Sequence, residues 1–458
     1  MPEFEYRSEM PYPVETVFAW FEREGALQRL CPPWQDVRVI EQSGGIEDGA
    51  RVVLSVPAGP MRKRWVAQHE GYEKNRQFID RQLSGPFAHW AHHHRFEALD
   101  EQRCQLIDQI EYKPPLGPLG AMGKGLVESM LKDVFRFRHE RLRNDLQLHQ
   151  RYAEHPRLKI AITGSHGLVG SNLSAFLTTA GHEVYPLVRN RGHADEKAIY
   201  WNPSTQEIDR KRLEDIDAVI HLAGKNLASG RWTEDLKREI YHSRVDGTQL
   251  LANALASLNN PPRVFVSASA VGFYGKRGDE AVDEESSPGD GFLADVCKAW
   301  ETAADPAREA GIRVTHPRIG VVVSGSGGAV KLMKLPFSLG LGGPVGNGQQ
   351  YMSWIALDDL LGVLEAMLHD ETLAGPVNAT APEPVRNKAF GKTLGGVLNR
   401  PAFMPLPQLA VRLLFGEMGD EMLLNGQYAQ NAKLQANNHP YLFSQLEDAL
   451  RFELGRFQ

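Results

Sequence analysis

The stretch LKIAITGSHGLVGSNLSAFLTTAG, residues 158–181, decides the fold of the larger part of this chain. It opens with the apolar run LKIAIT, which predicts a buried strand, and closes with SNLSAFLTTAG, which predicts a helix that ends at Gly181. Gly164, Gly167 and Gly170 stand between them with the spacing G-x-x-G-x-x-G. Alone, this spacing is weak evidence, but between a strand and a helix it indicates a dinucleotide-binding loop.

Each glycine of the loop has its own physical purpose. Gly164 permits a tight turn, Gly167 lets the backbone approach a pyrophosphate, and Gly170 lets the helix pack closely on the strand. The first turn of the helix then presents free N–H groups and a positive dipole end to the anion. The expected cofactor contacts lie along the loop, at Thr163, Gly164, Ser165, His166, Gly167, Leu168, Val169 and Gly170.

Strand and helix patterns alternate from residue 157 to about residue 400, which predicts an α/β, Rossmann-like, doubly wound parallel sheet. The motifs DAVIHLAG (217–224), VFVSASAVGFYG (264–275), GIRVTHPRIGVVVSG (311–325) and SWIALDDL (353–360) follow in order. With the glycine loop they resemble the extended short-chain dehydrogenase/reductases. In the last motif, Asp358 and Asp359 are expected to cap a helix start. The resemblance implies further cofactor contacts, at Leu222, Ala223, Gly224, Arg244, Ser267, Pro317 and Arg318.

The second strand, HEVYPLVR (182–189), bears on the choice of cofactor. NAD sites place a carboxylate at the end of this strand to hold the ribose 2′-hydroxyl. Here the strand ends at Val188, Arg189 follows, and no carboxylate lies between Val184 and Gly192. A cation at this place suits a 2′-phosphate, so the sequence favours NADP (NADPH) over NAD. The alternative is that Arg189 is a solvated loop residue.

The catalytic signature that the resemblance implies is incomplete. The family uses a serine, which hydrogen-bonds the reacting oxygen, and a Tyr-x-x-x-Lys pair, whose tyrosine exchanges a proton with the substrate. Ser269 matches the serine. The helix FLADVCKAWE (292–301) contains Lys298, but Ala294 stands where the tyrosine should be.

A second alignment of this helix, set by Glu301, places Cys297 at the lysine position and Leu293 at the tyrosine position. Tyr274, which follows the serine strand, is the first candidate to replace the missing acid/base, with packing beneath the substrate loop as the alternative. Cys297 is a second candidate, against the role of a small buried side chain. Lys298 is expected to hold the nicotinamide ribose, unless it is a surface lysine.

These departures resemble one branch of the family, the atypical extended short-chain dehydrogenase/reductases called epimerase-family proteins. HLAGKNLASGRWT (221–233), SRVDGT (243–248), GGPVGNGQQYMSWIALDD (342–359) and the tail at 400–434 resemble the same branch. The resemblance implies an NADP-dependent oxidoreductase or epimerase that acts on a hydroxyl or carbonyl group, for which a nucleotide sugar is one candidate. The alternative is a non-catalytic NADP-binding sensor or carrier. Fold kinship does not decide between them.

Residues 1–148 predict a separate α+β domain, joined through a polar linker at 149–156 to residues 157–458, with a C-terminal extension from about residue 400. Strand-like segments between residues 36 and 112 precede a long amphipathic helix at 125–148. This order resembles the START-like, polyketide-cyclase-like helix-grip domains. The resemblance implies a cavity for an apolar ligand, with an interior filled by core side chains as the alternative.

Four histidines, His89, His92, His93 and His94, stand on one predicted strand of that domain. His92 and His94 would share one face, which could suit a metal ion. Because no cysteine or carboxylate completes an obvious set of ligands, half-buried strand positions are the favoured interpretation and no metal is expected.

Composition excludes several classes of protein. The chain has 51 Lys and Arg against 57 Asp and Glu, a net charge of −6, and no basic block, so general nucleic-acid binding is not expected. No apolar run approaches the length of about 20 residues that spans a bilayer, and the first ten residues lack a secretory signal. The 3 scattered cysteines suit a reducing cytoplasm. A small-molecule substrate is expected, and the oligomeric state stays open.

Overall fold

The computed structural model of the protein describes residues 2–58, 61–113, 124–194 and 196–457. The chain divides into two compact units. The first holds Met1–Ala153 with Thr178–Gly181 and Phe452–Gln458, and the second holds Glu154–Leu177 and His182–Arg451. Among the described residues, no helix is both long enough and apolar enough to cross a membrane.

The first unit combines an antiparallel sheet with helices. Its elements are β1 (Glu3–Met10), β2 (Arg38–Ser43), β3 (Arg51–Ala58), β4 (Met61–Glu73), β5 (Gln77–Ser84), β6 (His89–Ala98), β7 (Cys104–Lys113), α1 (Val14–Glu22), α2 (Ala26–Leu30) and α3 (Lys124–Gln150). The strands pair in the order β1-β7-β6-β5-β4-β3-β2. The predicted α+β order is confirmed, and helix α3 runs to Gln150, into the stretch expected as linker.

Side chains from the sheet and the helices fill much of the interior of the first unit. Phe18 and Phe21 of α1 pack on Phe78 and Phe96 of the sheet with ring centroids 5.0 to 6.5 Å apart. A small cavity beside them has a mixed lining, apolar at Phe21, Leu30 and Leu106 and polar at His94, Asp108, Arg138 and His139. The interior therefore supports the filled alternative, and an apolar ligand stays a prediction.

One expectation for the first unit is wrong. His92 and His94 share the buried face of β6, as predicted, but carboxylates do stand beside them. Asp80 of β5 is the cross-strand partner of His92, and Asp108 of β7 is the partner of His94. The sequence missed this set because strand register, and not spacing along the chain, brings these groups together.

The second unit is built on a mainly parallel sheet. The strands of this unit are β8 (Lys159–Thr163), β9 (Glu183–Val188), β10 (Ile199–Asn202), β11 (Glu207–Ile208), β12 (Ala218–His221), β13 (Val264–Ser267), β14 (Ser269–Ala270), β15 (Ala281–Val282), β16 (Arg313–Ile319), β17 (Val321–Val323), β18 (Tyr351–Met352), β19 (Trp354–Ala356), β20 (Gly375–Ala379), β21 (Val385–Arg386) and β22 (Tyr428–Ala429). The main sheet has the order β11-β10-β9-β8-β12-β13-β16-β14, and β20 also pairs with β16. This order confirms the Rossmann-like, doubly wound prediction.

Helices connect and cover these strands. They are α4 (Leu168–Ala180), α5 (Glu234–Ala256), α6 (Phe292–Thr302), α7 (Asp305–Glu309), α8 (Gly328–Ser338), α9 (Leu357–His369), α10 (Asn387–Val397), α11 (Gln408–Phe415), α12 (Glu417–Gly419), α13 (Ala432–Ala436) and α14 (Leu446–Leu454). Parallel strands β8, β12 and β13 are wholly or almost wholly buried because helices cover the sheet, which explains their continuous apolar sequences. The carboxyl ends of β8, β12 and β13 lie side by side, and ligands of open α/β sheets bind at this edge.

Candidate functional site

The glycine loop makes its turn directly against the end of β12. Gly164 has a positive φ of 69°, and a Cβ added there would lie 2.9 Å from the backbone nitrogen of Ala223. A Cβ on Gly170 would lie 2.2 Å from the carbonyl oxygen of Gly164. These contacts exclude any side chain at either position. The loop therefore stays narrow, and Gly167 and His166 at its tip are exposed.

The other predicted loop residues divide by burial. Ser165 is buried, whereas Leu168 and Val169, which begin α4, are half-buried. Thr163 is fully buried, and its hydroxyl accepts hydrogen bonds from the N–H groups of Leu222 (3.1 Å) and Ala223 (3.2 Å). The Thr163 side chain thus joins the ends of β8 and β12, so only its main chain is left for a cofactor contact.

Arg244 of α5 brings a positive charge to the glycine end of β12. A Cβ added on Gly224 would lie 3.2 Å from the guanidinium carbon of Arg244. The guanidinium donates hydrogen bonds to the carbonyl oxygens of Lys225 (3.1 Å) and Ile240 (3.2 Å). Burial lowers the pKa of Arg244, and no carboxylate among the described residues forms an ion pair with it. The guanidinium carbon also lies 5.1 Å from the centroid of the Trp300 ring. A half-buried cation whose described partners are neutral carbonyls and an aromatic ring is suited to an anionic ligand.

The end of β9 carries two arginines with different surroundings. Arg191 is paired with Glu207 at 2.9 Å and lies over the Tyr200 ring at 4.2 Å. Arg189 is exposed and has no hydrogen bond or ion pair with the part of the chain that the structure describes. Of the two, Arg189 is therefore the one whose charge is available to a phosphate.

A buried polar network occupies the end of β13 and the strand that follows it. Ser269 donates a hydrogen bond to Glu301 of α6 at 2.7 Å, and both oxygens of Glu301 accept from Arg318 of β16 at 2.9 Å. Arg318 also donates to the Tyr274 hydroxyl at 2.9 Å, and that hydroxyl donates to Asn378 at 2.7 Å. Three predicted site residues, Ser269, Tyr274 and Arg318, are thus brought together.

The surroundings of Tyr274 and Cys297 count against both as acid/base or nucleophile. Tyr274 is fully buried, and burial raises its pKa to about 12 although Arg318 opposes the shift. Burial and then Glu301 raise the pKa of the Cys297 thiol to about 11. Neither group ionises near neutral pH, and the hydroxyl of Tyr274 is already shared between two partners. The packing alternatives are therefore supported for both residues.

The helix α6 follows the second of the two predicted alignments. A Cβ on Gly272 would lie 3.4 Å from Leu293 and 3.9 Å from the sulfur of Cys297, so these two side chains face the serine strand. Lys298, one position further along the helix, is exposed and is not brought to Ser269. This exposure supports the alternative that Lys298 is a surface lysine, since a helix turns by about 100° at each residue and Cys297 faces the serine strand instead. A contact of Lys298 with the nicotinamide ribose stays a prediction.

Of the remaining predicted residues, Ser267, Pro317 and Arg318 are buried, Leu222 and Ala223 are half-buried, and Gly224 is exposed. Pro317 and Arg318 lie within β16, and the Arg318 side chain is fully used by Glu301 and Tyr274, so a direct cofactor contact from it is not supported. The buried hydroxyl of Ser267 has no hydrogen-bond partner in the described ranges. Leu222 and Ala223 border the glycine loop at Gly164, and Gly224 faces Arg244. Their contacts with a cofactor stay a prediction.

Sequence reasoning missed two members of the network. In the sequence, Glu301 only set one of the two alignments of helix α6. In the structure, its carboxylate accepts hydrogen bonds from both Ser269 and Arg318. Asn378 of β20 lies 104 residues from Tyr274 in the chain, and only the strand pairing β16–β20 reveals it. The available signal for Glu301 was its spacing, four residues after Cys297, which places both on one helix face.

The residues that are present fit a dinucleotide. No side chain fits at Gly164 or Gly170, and the first turn of α4 follows the narrow loop directly. Arg244 carries a positive charge that has no acidic partner among the described residues. A pyrophosphate needs this combination of backbone N–H groups and a nearby cation.

Comparisons with known proteins agree with this geometry. Residues 160–377 match the NAD dependent epimerase/dehydratase family, residues 10–136 match the polyketide cyclase / dehydrase and lipid transport family, and residues 406–453 match a domain of unknown function, DUF1731. An epimerase family protein of Mycobacterium bovis is 42% identical over 297 residues, which are 65% of this chain and 98% of that protein.

Solved structures extend the similarity to both parts of the chain. The nucleoside-diphosphate sugar epimerase from Corynebacterium glutamicum is 34% identical with a TM-score of 0.82, covering 99% of this chain and 90% of its own. Human epimerase family protein SDR39U1 (isoform 2), solved with NADPH, is 34% identical with a TM-score of 0.59 over 65% of this chain and 99% of its own. The chain therefore belongs to the NAD-dependent epimerase/dehydratase family, as an atypical short-chain dehydrogenase/reductase with a polyketide-cyclase-like domain before its Rossmann-like domain.

Proposed function

We propose that this protein binds NADPH at the glycine loop and catalyses oxidoreduction or epimerisation at a hydroxyl or carbonyl group of a small molecule. The observation that carries the proposal is Arg244, a half-buried cation beside Gly224 that has no carboxylate partner among the described residues. The residue before Gly224, Ala223, lies against Gly164 of the glycine loop, where no side chain fits. Nucleotide sugars are the first substrate class to test, because MoeE5, a protein with the same fold, was solved with UDP-glucose and NAD.

The cofactor preference rests on the end of β9. Arg189 is exposed, and no described carboxylate is paired with it, whereas Arg191 is held by Glu207. A 2′-phosphate would gain a charge-assisted hydrogen bond from Arg189, and the described residues directly after β9, Arg189 to Gly192, include no carboxylate to hold a free 2′-hydroxyl. The human relative was solved with NADPH, which points in the same direction.

The chain's own contribution to proton transfer is centred on Ser269. When bound, the nicotinamide supplies or accepts a hydride. Ser269 would hydrogen-bond the reacting oxygen. The Ser269 hydroxyl donates a hydrogen bond to the carboxylate of Glu301 at 2.7 Å, and this carboxylate can accept the serine proton. Arg318 holds Glu301 through two hydrogen bonds and keeps its carboxylate directed at the serine. This arrangement offers a proton route without the missing tyrosine.

One observation favours a second candidate function, an NADPH-binding sensor or carrier without turnover. Leu293 faces the serine strand from the tyrosine position, and Tyr274 is buried. If Ser269 and Glu301 cannot move a proton to a substrate, binding would be the whole function.

The first experiment measures the affinities of NADPH and NADH by calorimetry on the full chain. We expect NADPH to bind more tightly than NADH, and Arg189→Asp to reduce or reverse this preference. Arg244→Met should weaken the binding of both cofactors about tenfold or more, since a charged hydrogen bond contributes about 1.5–3 kcal/mol. Arg263→Asp is the control, because it makes the same charge change at an exposed residue directly before β13, at the opposite end of that strand from the site. Equal affinities in the parent protein would refute the role of Arg189.

The second experiment decides between enzyme and sensor. The NADPH-loaded protein is incubated with UDP-glucose and a panel of other nucleotide sugars and carbonyl compounds. An enzyme should form an epimer or consume NADPH, and Ser269→Ala should abolish this while leaving the NADPH affinity unchanged. Binding of NADPH without any turnover, in parent and variant alike, would support the sensor.

A further inference from the structure

A second cluster of chemically capable side chains lies inside the first unit, far along the chain from the glycine loop. Five of its members are almost fully buried, with exposures between 1% and 7%, and the sixth, Asp80, keeps 27% of its side-chain exposure. The cluster consists of His69 on β4, Asp80 on β5, His92 and His94 on β6, Asp108 on β7 and His139 on α3.

Strand register assembles the cluster on one face of the sheet. His69 is the cross-strand partner of Asp80, and Asp80 is the partner of His92 on its other side. Asp108 is the partner of His94. Direct cross-strand partners have their Cβ atoms about 4.5–5.5 Å apart, so the side chains meet without any loop being involved.

Three ligand-type atoms converge in the middle of this face. Asp80, His92 and His94 each offer one atom, and all of these atoms lie within 4.8 Å of one another. Oδ2 of Asp80 lies 3.1 Å from Nε2 of His94 and 3.8 Å from Nδ1 of His92. Metal–ligand bonds of about 2.0–2.2 Å place tetrahedral ligand atoms roughly 3.3–3.6 Å apart, so small side-chain shifts suffice to bind an ion.

The outer nitrogens of the two imidazoles are held by a different carboxylate. Asp108 lies 2.7 Å from Nε2 of His92 and 2.8 Å from Nδ1 of His94, the ring nitrogens that do not face Asp80. His139 in turn lies 2.5 Å from the other oxygen of Asp108. Metal-binding histidines in proteins are oriented by such outer carboxylates, which fix the tautomer that leaves the inner nitrogen free to bind.

The two carboxylates of the cluster are surrounded by imidazoles. Nε2 of His69 lies 2.5 Å from Oδ1 of Asp80, while Nδ1 of the same ring is a buried atom without a hydrogen bond in the part of the chain that the structure describes. Two buried carboxylates need positive charge beside them, which protons on these imidazoles supply without a metal and which one divalent ion would supply in their place.

We propose that Asp80, His92 and His94 form a binding site for one divalent transition-metal ion, with Asp108 and His69 as positioning residues around it. Two imidazoles and one carboxylate suit Zn²⁺, Co²⁺ or Fe²⁺ and do not suit Mg²⁺, which prefers oxygen ligands. Three protein ligands leave at least one coordination position for water or a small ligand. The site is independent of the proposed NADPH function.

The test uses the full chain, stripped with a chelator and titrated with Co²⁺. We expect one equivalent to bind with the visible absorption bands of a low-coordinate cobalt site, Zn²⁺ to displace it, and Mg²⁺ to have no effect. His92→Gln and His94→Gln should lose the bands, and Asp108→Asn should weaken binding about 10–100-fold. His93→Gln is the matched control, because its side chain points to the other face of the same strand.

Two results would overturn the proposal. One is a parent protein that takes up no stoichiometric Co²⁺ or Zn²⁺, which would leave the cluster as a purely structural network. The other is a pair of folded variants, His92→Gln and His94→Gln, that bind cobalt as well as His93→Gln does. If either variant fails to fold, the parent titration and the graded loss in Asp108→Asn still decide the question.

Discussion

Asp359 holds its carboxyl group against the C-terminal part of the second unit. Its two oxygens accept hydrogen bonds from the N–H groups of Leu442 (2.6 Å) and Phe443 (3.1 Å). Asp358 and Asp359 both lie in the first turn of α9, as expected. The carboxyl group of Asp359 does not cap that helix, however, because its hydrogen-bond partners lie more than eighty residues further along the chain.

Ionisation of Asp359 should make stability depend on pH. Burial, and then Asp358, raise its pKa to about 8. Between about pH 4 and about pH 8 the folded protein keeps a proton there that the unfolded chain has released, so the stabilisation is full below this window and falls as the pH rises through it. Asp359→Asn removes the titration, and the melting temperature of the variant minus that of the parent should therefore increase from about pH 5 to about pH 8.

The matched control for this residue is Asp295→Asn, an exposed aspartate on α6. This variant controls for the loss of one carboxylate and the gain of one amide at a place that is exposed to solvent. A pH-independent difference for Asp359→Asn would mean that the Asp359 carboxyl ionises normally in the folded protein.

At the scale of elements, the glycine loop was the most predictable feature because its constraint is local. Gly170 is in α4, where an added Cβ would lie 2.2 Å from the carbonyl oxygen of Gly164. Gly396 is also in a helix, α10, and an added Cβ there meets nothing within 4 Å. The same substitution should therefore have opposite effects at the two positions.

We expect Gly170→Ala to lower the stability of the second unit by about 1–3 kcal/mol through overpacking. It should also weaken NADPH binding, because the loop must move to make room. Gly396→Ala should raise the stability by about 0.5–1 kcal/mol, since alanine loses less backbone freedom on folding. Calorimetric melting temperatures and NADPH titrations of both variants check this. A Gly170→Ala protein as stable as the parent would show that the close approach is not needed.

Elements that depend on distant partners were less predictable. Strand β1 (Glu3–Met10) alternates apolar and polar residues, but its several glutamates are unfavourable in strands, and its pairing with β7 places it in the sheet. The Ser269 network had the same difficulty, because Glu301, Arg318 and Asn378 come from three separate elements. Local patterns predict turns, helices and buried strands, whereas polar networks are set by register and topology.

At the scale of the whole molecule, each of the two units has a large buried apolar cluster of its own. One is built around Phe18, Phe78 and Phe96, and the other around Phe265, Leu251 and Val219. The first compact unit also takes in Thr178–Gly181 and Phe452–Gln458, and the proposed domain boundaries, 1–148 and 157–458, stay a prediction. Domains with separate cores generally unfold in separate transitions.

Ligands should therefore shift the two transitions separately. A ligand that binds only the folded state stabilises it by about 2.7 kcal/mol when its concentration is about 100 times its Kd. By scanning calorimetry of the full chain, NADPH should raise one transition and Zn²⁺ the other. Arg244→Met should remove only the NADPH shift and His94→Gln only the Zn²⁺ shift, so each variant is the control for the other. A single transition that both ligands raise would show that the two units unfold together. A Zn²⁺ shift that is lost in Arg244→Met would place the ion in the second unit and would contradict the proposed metal site.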